Sequence, residues 1–127
     1  MAILTVLLVD DELELIETLE ERLMIRDIDA QAVTTGEEAL KLVAEKEFDV
    51  VVLDVKMPGI GGLETLRRIK KIRPALPVIL LTGHGSTRDS EEGIRCGAFD
   101  YVMKPLNIED LIQTMHDSKY GREENNA

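Results

Sequence analysis

The stretch Asp49-Val50-Val51-Val52-Leu53-Asp54-Val55-Lys56-Met57-Pro58-Gly59 decides the fold. Four apolar residues, Val50 to Leu53, run without a break into the carboxylate of Asp54. Successive β-branched valines favour a strand. An unbroken apolar run, rather than an alternating one, suits a strand buried on both faces of a parallel sheet. Asp54 then stands at the carboxyl end of a central strand, which is where open α/β sheets hold their ligands.

Working outward, Leu4 to Val9 reads as a second buried strand, ending in Asp10, Asp11 and Glu12. Leu13, Ile16, Leu19 and Leu23 follow at helical spacing and predict one inward face. Asp11 and Glu14 have capping-box form, so Asp11 reads equally as an N-cap or as a site acid. Asp29 to Val33 is a short edge strand. Thr35-Gly36-Glu37-Glu38 opens a helix with Ala39, Leu40, Val43 and Ala44 facing inward. Gly61 and Gly62 predict a loose loop before a helix marked by Leu63, Leu66 and Ile69. The basic end of that helix, Arg67 to Arg73, reads as a solvated face that suits a helix C-terminus.

Val78 to Leu81 is a third doubly buried strand, ending in Thr82 and followed by the flexible Gly83-His84-Gly85. The helix expected over Ser86 to Arg95 is poor. Its only large aliphatic is Ile94, and Gly93 costs about 1 kcal/mol relative to Ala. Low local stability is expected there. Ala98 to Met103 is a short strand ending at Lys104-Pro105, and Ile108, Leu111, Ile112 and Met115 mark the last inward helix face. Residues 119–127 are polar and expected to fray. Five βα units in succession imply an α/β fold with a parallel sheet, right-handed crossovers and helices on both faces.

A chain of 127 residues, 44% hydrophobic, suits one globular domain. Trp is absent, so aliphatic side chains must build the core. The net charge of −10 disfavours direct binding to nucleic acid. One cysteine, Cys96, excludes an internal disulfide and a multi-cysteine metal site, and reads as a packing residue. No apolar run suits a membrane span and no basic region precedes the first apolar stretch, so a cytoplasmic protein is expected. His84 and His116 sit in no ligand constellation.

Polar residues abut four of the five strands: Asp10 and Asp11, Asp54, Thr82, and Lys104. In a parallel sheet these ends point the same way and can meet. Carboxylates brought together repel, each pair at ~4 Å by about 1 kcal/mol in bulk water and about 4 kcal/mol at an intermediate dielectric. An N-cap explains one such acid, not three. The cluster therefore implies a cation, and oxygen ligands without His or Cys favour a hard ion such as Mg²⁺. With the Lys104 ammonium and the Thr82 hydroxyl, the set matches what a phosphoryl group requires during transfer. Asp54 is the best candidate nucleophile.

These stretches resemble the receiver domain of bacterial two-component response regulators. The resemblance is carried by Leu8-Val9-Asp10-Asp11-Glu12, Leu53-Asp54-Val55-Lys56-Met57-Pro58-Gly59, Leu81-Thr82-Gly83-His84-Gly85 and Asp100-Tyr101-Val102-Met103-Lys104-Pro105. The phrasing of the second and third is closest to regulators acting with sigma-54 polymerase. The resemblance implies a flavodoxin-like doubly wound sheet of order 2-1-3-4-5, with a receiver over residues 1–119 and a polar tail or linker start over 120–127. It implies that Asp54 accepts a phosphoryl group from a sensor histidine kinase, a phosphotransfer protein or a small donor such as acetyl phosphate. Asp11, Asp54 and the Lys56 backbone carbonyl would hold Mg²⁺, with Asp10 acting through water. Thr82 and Lys104 would contact the phosphoryl oxygens, Thr82 and Tyr101 would move as a switch, and Pro105 would have a cis bond. Lys56 and His84 would tune water access, so replacing either is expected to change autodephosphorylation more than phosphorylation. The surface around residues 86–95 would report the modification to a partner or output domain, with homodimerisation possible.

The chain departs from that pattern at Gly61, where family members often carry Asp, and at Thr87, Ser90 and Gly93, where small apolar residues are usual. The helix of residues 86–95 is expected to be dynamic before phosphorylation. The last helix lacks an arginine used in many intersubunit salt-bridge networks. Other readings are a Mg²⁺-dependent phosphohydrolase, a flavodoxin-like electron carrier and a binding-only pseudo-receiver. Asp10 is followed by Asp11 and Glu12 rather than by the spaced second Asp of haloacid-dehalogenase-type enzymes, and no cap domain is present. The acidic first loop does not suit a flavin phosphate, and an intact acid set argues against a pseudo-receiver. No output domain follows residue 117, which leaves a single-domain regulator or a piece of a longer one.

Overall fold

The computed structural model describes residues 4–83 and 87–121. Five strands alternate with five helices: β1 (Leu4–Val9), α1 (Leu13–Ile25), β2 (Ile28–Val33), α2 (Gly36–Glu45), β3 (Val50–Asp54), α3 (Gly61–Ile72), β4 (Val78–Thr82), α4 (Thr87–Arg95), β5 (Asp100–Met103) and α5 (Ile108–Tyr120). All pairings are parallel, in the order β2-β1-β3-β4-β5. Every residue of β3 and β4 is buried, as their unbroken apolar runs require. The expected fold class and strand order are both met.

Alternation along the strands divides the core in two. Val6, Leu8, Val50, Val52, Ile79 and Leu81 pack under Ile16, Leu19 and Leu23 of α1 and Leu111 and Met115 of α5. Leu7, Val9, Val51, Leu53, Val78 and Leu80 point the other way, toward Ala39 and Val43 of α2 and Leu66 and Ile69 of α3. Each such side chain contributes about 1.5–3 kcal/mol when fully buried. Helices therefore cover both faces and leave the carboxyl ends of the strands open for a site.

Several sequence expectations need correction. Leu13 is exposed, because it opens α1 before the helix settles on the sheet, and Leu15 packs inward instead. Ala44 is exposed, and Leu42 is the residue packed against the core. Residue 119 does not begin a frayed end. α5 continues to Tyr120, and the Lys119 ammonium is held by Asp49, whose other oxygen accepts from the Thr5 N–H at 2.8 Å. Ser86 and residues 122–127 lie outside the described residues.

The polar α4 has a packing reason. Gly93 is buried, and a Cβ placed on it would lie 2.1 Å from Leu80 Cδ1. The helix approaches β4 through the missing side chain and leaves Ile94 exposed. Gly93→Ala is expected to lower stability by about 1 kcal/mol in urea unfolding. Overpacking costs about 2 kcal/mol and the gain in helix propensity returns about half of that.

Candidate phosphoacceptor site

Asp10 directly follows β1 and Asp54 ends β3, on adjacent strands whose last paired residues are Val9 and Leu53. Asp11 joins them from the loop. Asp10, Asp11 and Asp54 each offer a carboxylate oxygen, and these oxygens lie within 4.8 Å of one another. Asp10 is fully buried, Asp54 is nearly so, and Asp11 is exposed. The cluster is therefore closed below and open to solvent on one side.

Asp11 is not the helix cap. Glu12 holds the N-cap position of α1, and its side chain makes no capping bond. Asp10 Oδ1 instead accepts the Glu12 N–H at 2.9 Å. A side-chain cap does occur at α2, where Thr35 Oγ1 accepts the Glu38 N–H at 3.1 Å and donates to Glu38 Oε1 at 3.2 Å. With its capping role gone, Asp11 is left with the carboxylate cluster.

Lys104 supplies positive charge from beyond β5. Its Nζ lies 2.7 Å from Glu12 Oε1, 3.0 Å from Asp10 Oδ2 and 3.7 Å from Asp54 Oδ2. The bond to Glu12 is directed, whereas Asp10 Oδ2 sits off the line that a hydrogen bond needs and has no hydrogen-bond partner. Burial alone would lower the lysine's pKa. The bond to Glu12, the ion pair with Asp10 and the charge of Asp54 outweigh this and hold it well above the ordinary value.

Asp54 responds in the opposite sense. Burial, then the charge of Asp10, push its pKa up to about 6, with a smaller push from Asp11. Lys104 and the Lys56 N–H, which donates to Asp54 Oδ1 at 3.3 Å, pull it down without cancelling the rise. The ammonium stands nearer Glu12 and Asp10 than Asp54, so Asp54 receives only part of its charge.

Thr82 ends β4, and its Oγ1 is buried without a hydrogen-bond partner. A hydroxyl left unsatisfied on burial costs about 1–3 kcal/mol, and among the described residues nothing meets it. Tyr101 lies on β5 and is 42% exposed. The Lys104-Pro105 bond is cis. His84 lies outside the described residues. A groove of about 520 Å³ lies between Phe48, Ile72, Leu76 and Lys119. It adjoins the amino ends of β3 and β4, away from the acids.

Gly62 shapes the far wall. The expected loose loop is instead the first turn of α3, which begins at Gly61. The Gly62 N–H donates to Val55 O at 3.1 Å. A Cβ there would lie 2.3 Å from Asp54 O, so glycine permits the backbone of α3 to close on the end of β3.

Glu12 is the residue that the sequence reading left without a role. Its place beside Asp10 and Asp11 was visible. That residue 104 comes within reach of residue 12 is not, since β3 and β4 stand between β1 and β5.

The response regulator receiver domain model matches residues 6–116. The chain belongs to that family. The receiver is 40% identical over 107 residues to the uncharacterized transcriptional regulatory protein YkoG of Bacillus subtilis (strain 168), covering 84% of this chain and 47% of that one. It is 34% identical over 110 residues to the transcriptional regulatory protein ZraR of Escherichia coli (strain K12), covering 87% of this chain and 25% of ZraR. The receiver thus spans about half of one relative and a quarter of the other. Among solved structures, the Francisella response regulator 1452 receiver domain superposes with a TM-score of 0.84 at 31% identity, covering 91% of this chain and 96% of that one. The receiver fold is that of a signalling switch. No helix of the described residues is long and apolar enough to cross a membrane.

Proposed function

We propose that this receiver is a switch in which Asp54 accepts a phosphoryl group from a phosphohistidine of a sensor histidine kinase or phosphotransfer protein, or from acetyl phosphate. The observation that carries the reading is the buried Thr82 hydroxyl at the end of β4, without a partner among the described residues, beside a carboxylate cluster and one ammonium. An Asp54 oxygen attacks phosphorus as the bond from phosphorus to the imidazole nitrogen, or to the acetyl oxygen, breaks. The leaving group departs with the bonding electrons, and Asp54 becomes a mixed anhydride. Thr82 Oγ1 gains its missing partner in a phosphoryl oxygen, and Lys104 supplies charge where negative charge accumulates.

The acids fit Mg²⁺, since they offer only oxygen and their carboxylate oxygens lie within 4.8 Å of one another. Asp11, Asp54 and the Lys56 carbonyl are the proposed ligands, with Asp10 acting through water. When bound, the ion neutralises phosphoryl charge. Thr82 and Tyr101 are the proposed moving parts, next to cis-bonded Pro105, and Lys56 and His84 the groups that set the rate of hydrolysis. The surface of α4 and Tyr101 would pass the change to a partner, an output domain or a second copy of the chain. The acidic net charge argues against direct nucleic-acid binding by the receiver itself. A cytoplasmic location, a domain boundary near residue 119 and an output acting with sigma-54 polymerase belong to the same reading. The last is supported by the second and third motifs.

Incubation with Mg²⁺ and acetyl phosphate is expected to add the mass of one phosphoryl group, removable by hydroxylamine. Asp54→Ala is expected to abolish it. Labelling that survives Asp54→Ala would place the chemistry elsewhere. Continuous release of phosphate in large excess over protein would favour a phosphohydrolase.

A further inference from the structure

The geometry points to Glu12 as a positioning residue that holds Lys104 away from Asp54 until a phosphoryl group arrives. The inference rests on the reading above, in which Lys104 must serve the modified Asp54.

The directed bond of the Lys104 ammonium goes to Glu12 Oε1, at 2.7 Å. Two better-buried oxygens, Asp10 Oδ2 and Thr82 Oγ1, have no hydrogen-bond partner among the described residues. Buried acceptors ordinarily capture a nearby donor, because leaving them unmade is costly. Here the directed bond goes to the more exposed acid, the ammonium pairs with Asp10 Oδ2 at 3.0 Å without such a bond, and it stays 3.7 Å from Asp54 Oδ2.

Glu12 is built for this reach. It occupies the N-cap position of α1 in an extended conformation, yet its side chain makes no cap bond. Asp10 Oδ1 fixes its backbone through the Glu12 N–H at 2.9 Å. Asp10 thereby sets Glu12, and Glu12 sets Lys104. Exposed ion pairs are weak, which suits a contact that must yield. The Lys104 side chain itself is only 21% exposed, so a small bias in its position is felt at the site.

Losing Glu12 should then assist the phosphoryl state, because it frees a ligand rather than removing one. The test is a titration of the whole chain with beryllofluoride, a phosphoryl mimic, at saturating Mg²⁺. Glu12→Gln removes the charge. Glu12→Asp keeps the charge but shortens the arm. Both are expected to bind beryllofluoride about two- to fivefold more tightly than wild type, the range of an exposed ion pair. In metal-free protein, both should also shift the Lys104 ammonium signal in nitrogen-15 NMR, whereas Glu14→Gln on the same helix should not. If only Glu12→Gln tightens binding, the effect is one of charge and the positioning role is overturned. Unchanged or weaker binding in both variants overturns it as well. Should wild type bind beryllofluoride normally while the Glu12 variants match it, the receiver reading stands and this inference alone fails. Should wild type bind none, both fall.

Discussion

Gly62→Ala is expected to destabilise the protein by about 3 kcal/mol or more and to disturb the site. The added Cβ would lie 2.3 Å from Asp54 O, 2.5 Å from Val55 O and 2.6 Å from Val55 Cα. All three are backbone atoms. They follow a strand buried on both faces, and the Val55 N–H is itself tied to Leu81 O at 3.0 Å. No flexible side chain can yield, so α3 must retreat from the end of β3 or β3 must bend. Overpacking of a core costs about 1–3 kcal/mol when side chains can adjust, and the stiffness here places this case at or beyond the upper end. Helix propensity returns only about 1 kcal/mol. Gly61→Ala is the control. Nothing lies within 4 Å of a Cβ at that position, and the cost there comes from its φ of +80 alone, roughly 1 kcal/mol. Urea unfolding should separate the two variants, and Gly62→Ala should also weaken Mg²⁺ binding, because its clash displaces Asp54. Equal stability of the two variants would contradict the close approach of α3.

The difference between these neighbouring glycines marks how far the sequence could be read. The strands were legible because Val50 to Leu53 and Val78 to Leu81 are unbroken apolar runs, and a doubly buried strand has few other ways to be written. Asp10, Asp54 and Thr82 were legible because each adjoins such a run, and Lys104 because it follows the short strand that ends in Tyr101-Val102-Met103. Two adjacent glycines carry no such pattern. Chain flexibility and close packing ask for the same residue, and only the approach of α3 to Asp54 decides between them. The same holds for Gly93 in α4, whose helix cost was visible while its contact with Leu80 was not. The inward placing of Leu13 and the cap reading of Asp11 failed for a related reason. Periodicity and capping patterns give the phase of a helix but not its first residue, and α1 starts with Glu12 at the cap. The Glu12 to Lys104 bond joins residues 92 apart across two intervening strands, so it needed the sheet order first.

Asp54→Asn is expected to stabilise the metal-free protein at pH 7.5 by about 1–2 kcal/mol, and to lose that advantage in acid. In the folded protein Asp54 titrates at about 6, raised by burial and by Asp10. In the unfolded chain it titrates at about 3.9. Between those values the folded state keeps a proton that the unfolded state releases. Wild-type stability therefore falls as pH rises from about 4 through 6, and the penalty is fully developed above about pH 7. A shift of about two units corresponds to roughly 3 kcal/mol. The open side of the site lets solvent screen the charge, hence the smaller figure. Asparagine keeps an oxygen for the Lys56 N–H and removes the charge that repels Asp10. Thermal unfolding in a chelator should show the gain at pH 7.5 and its disappearance near pH 4, where both forms are neutral. Mg²⁺ should narrow the gap at neutral pH by stabilising the wild type, because it binds the folded carboxylates in preference to the unfolded chain. A gain that persists unchanged at pH 4 would mean that it comes from packing rather than charge. An Asp54→Asn variant less stable than wild type at pH 7.5 would mean that the bond to Lys104 outweighs the repulsion from Asp10. In that case the cluster would be held by its own ammonium and would have no electrostatic need for an added cation.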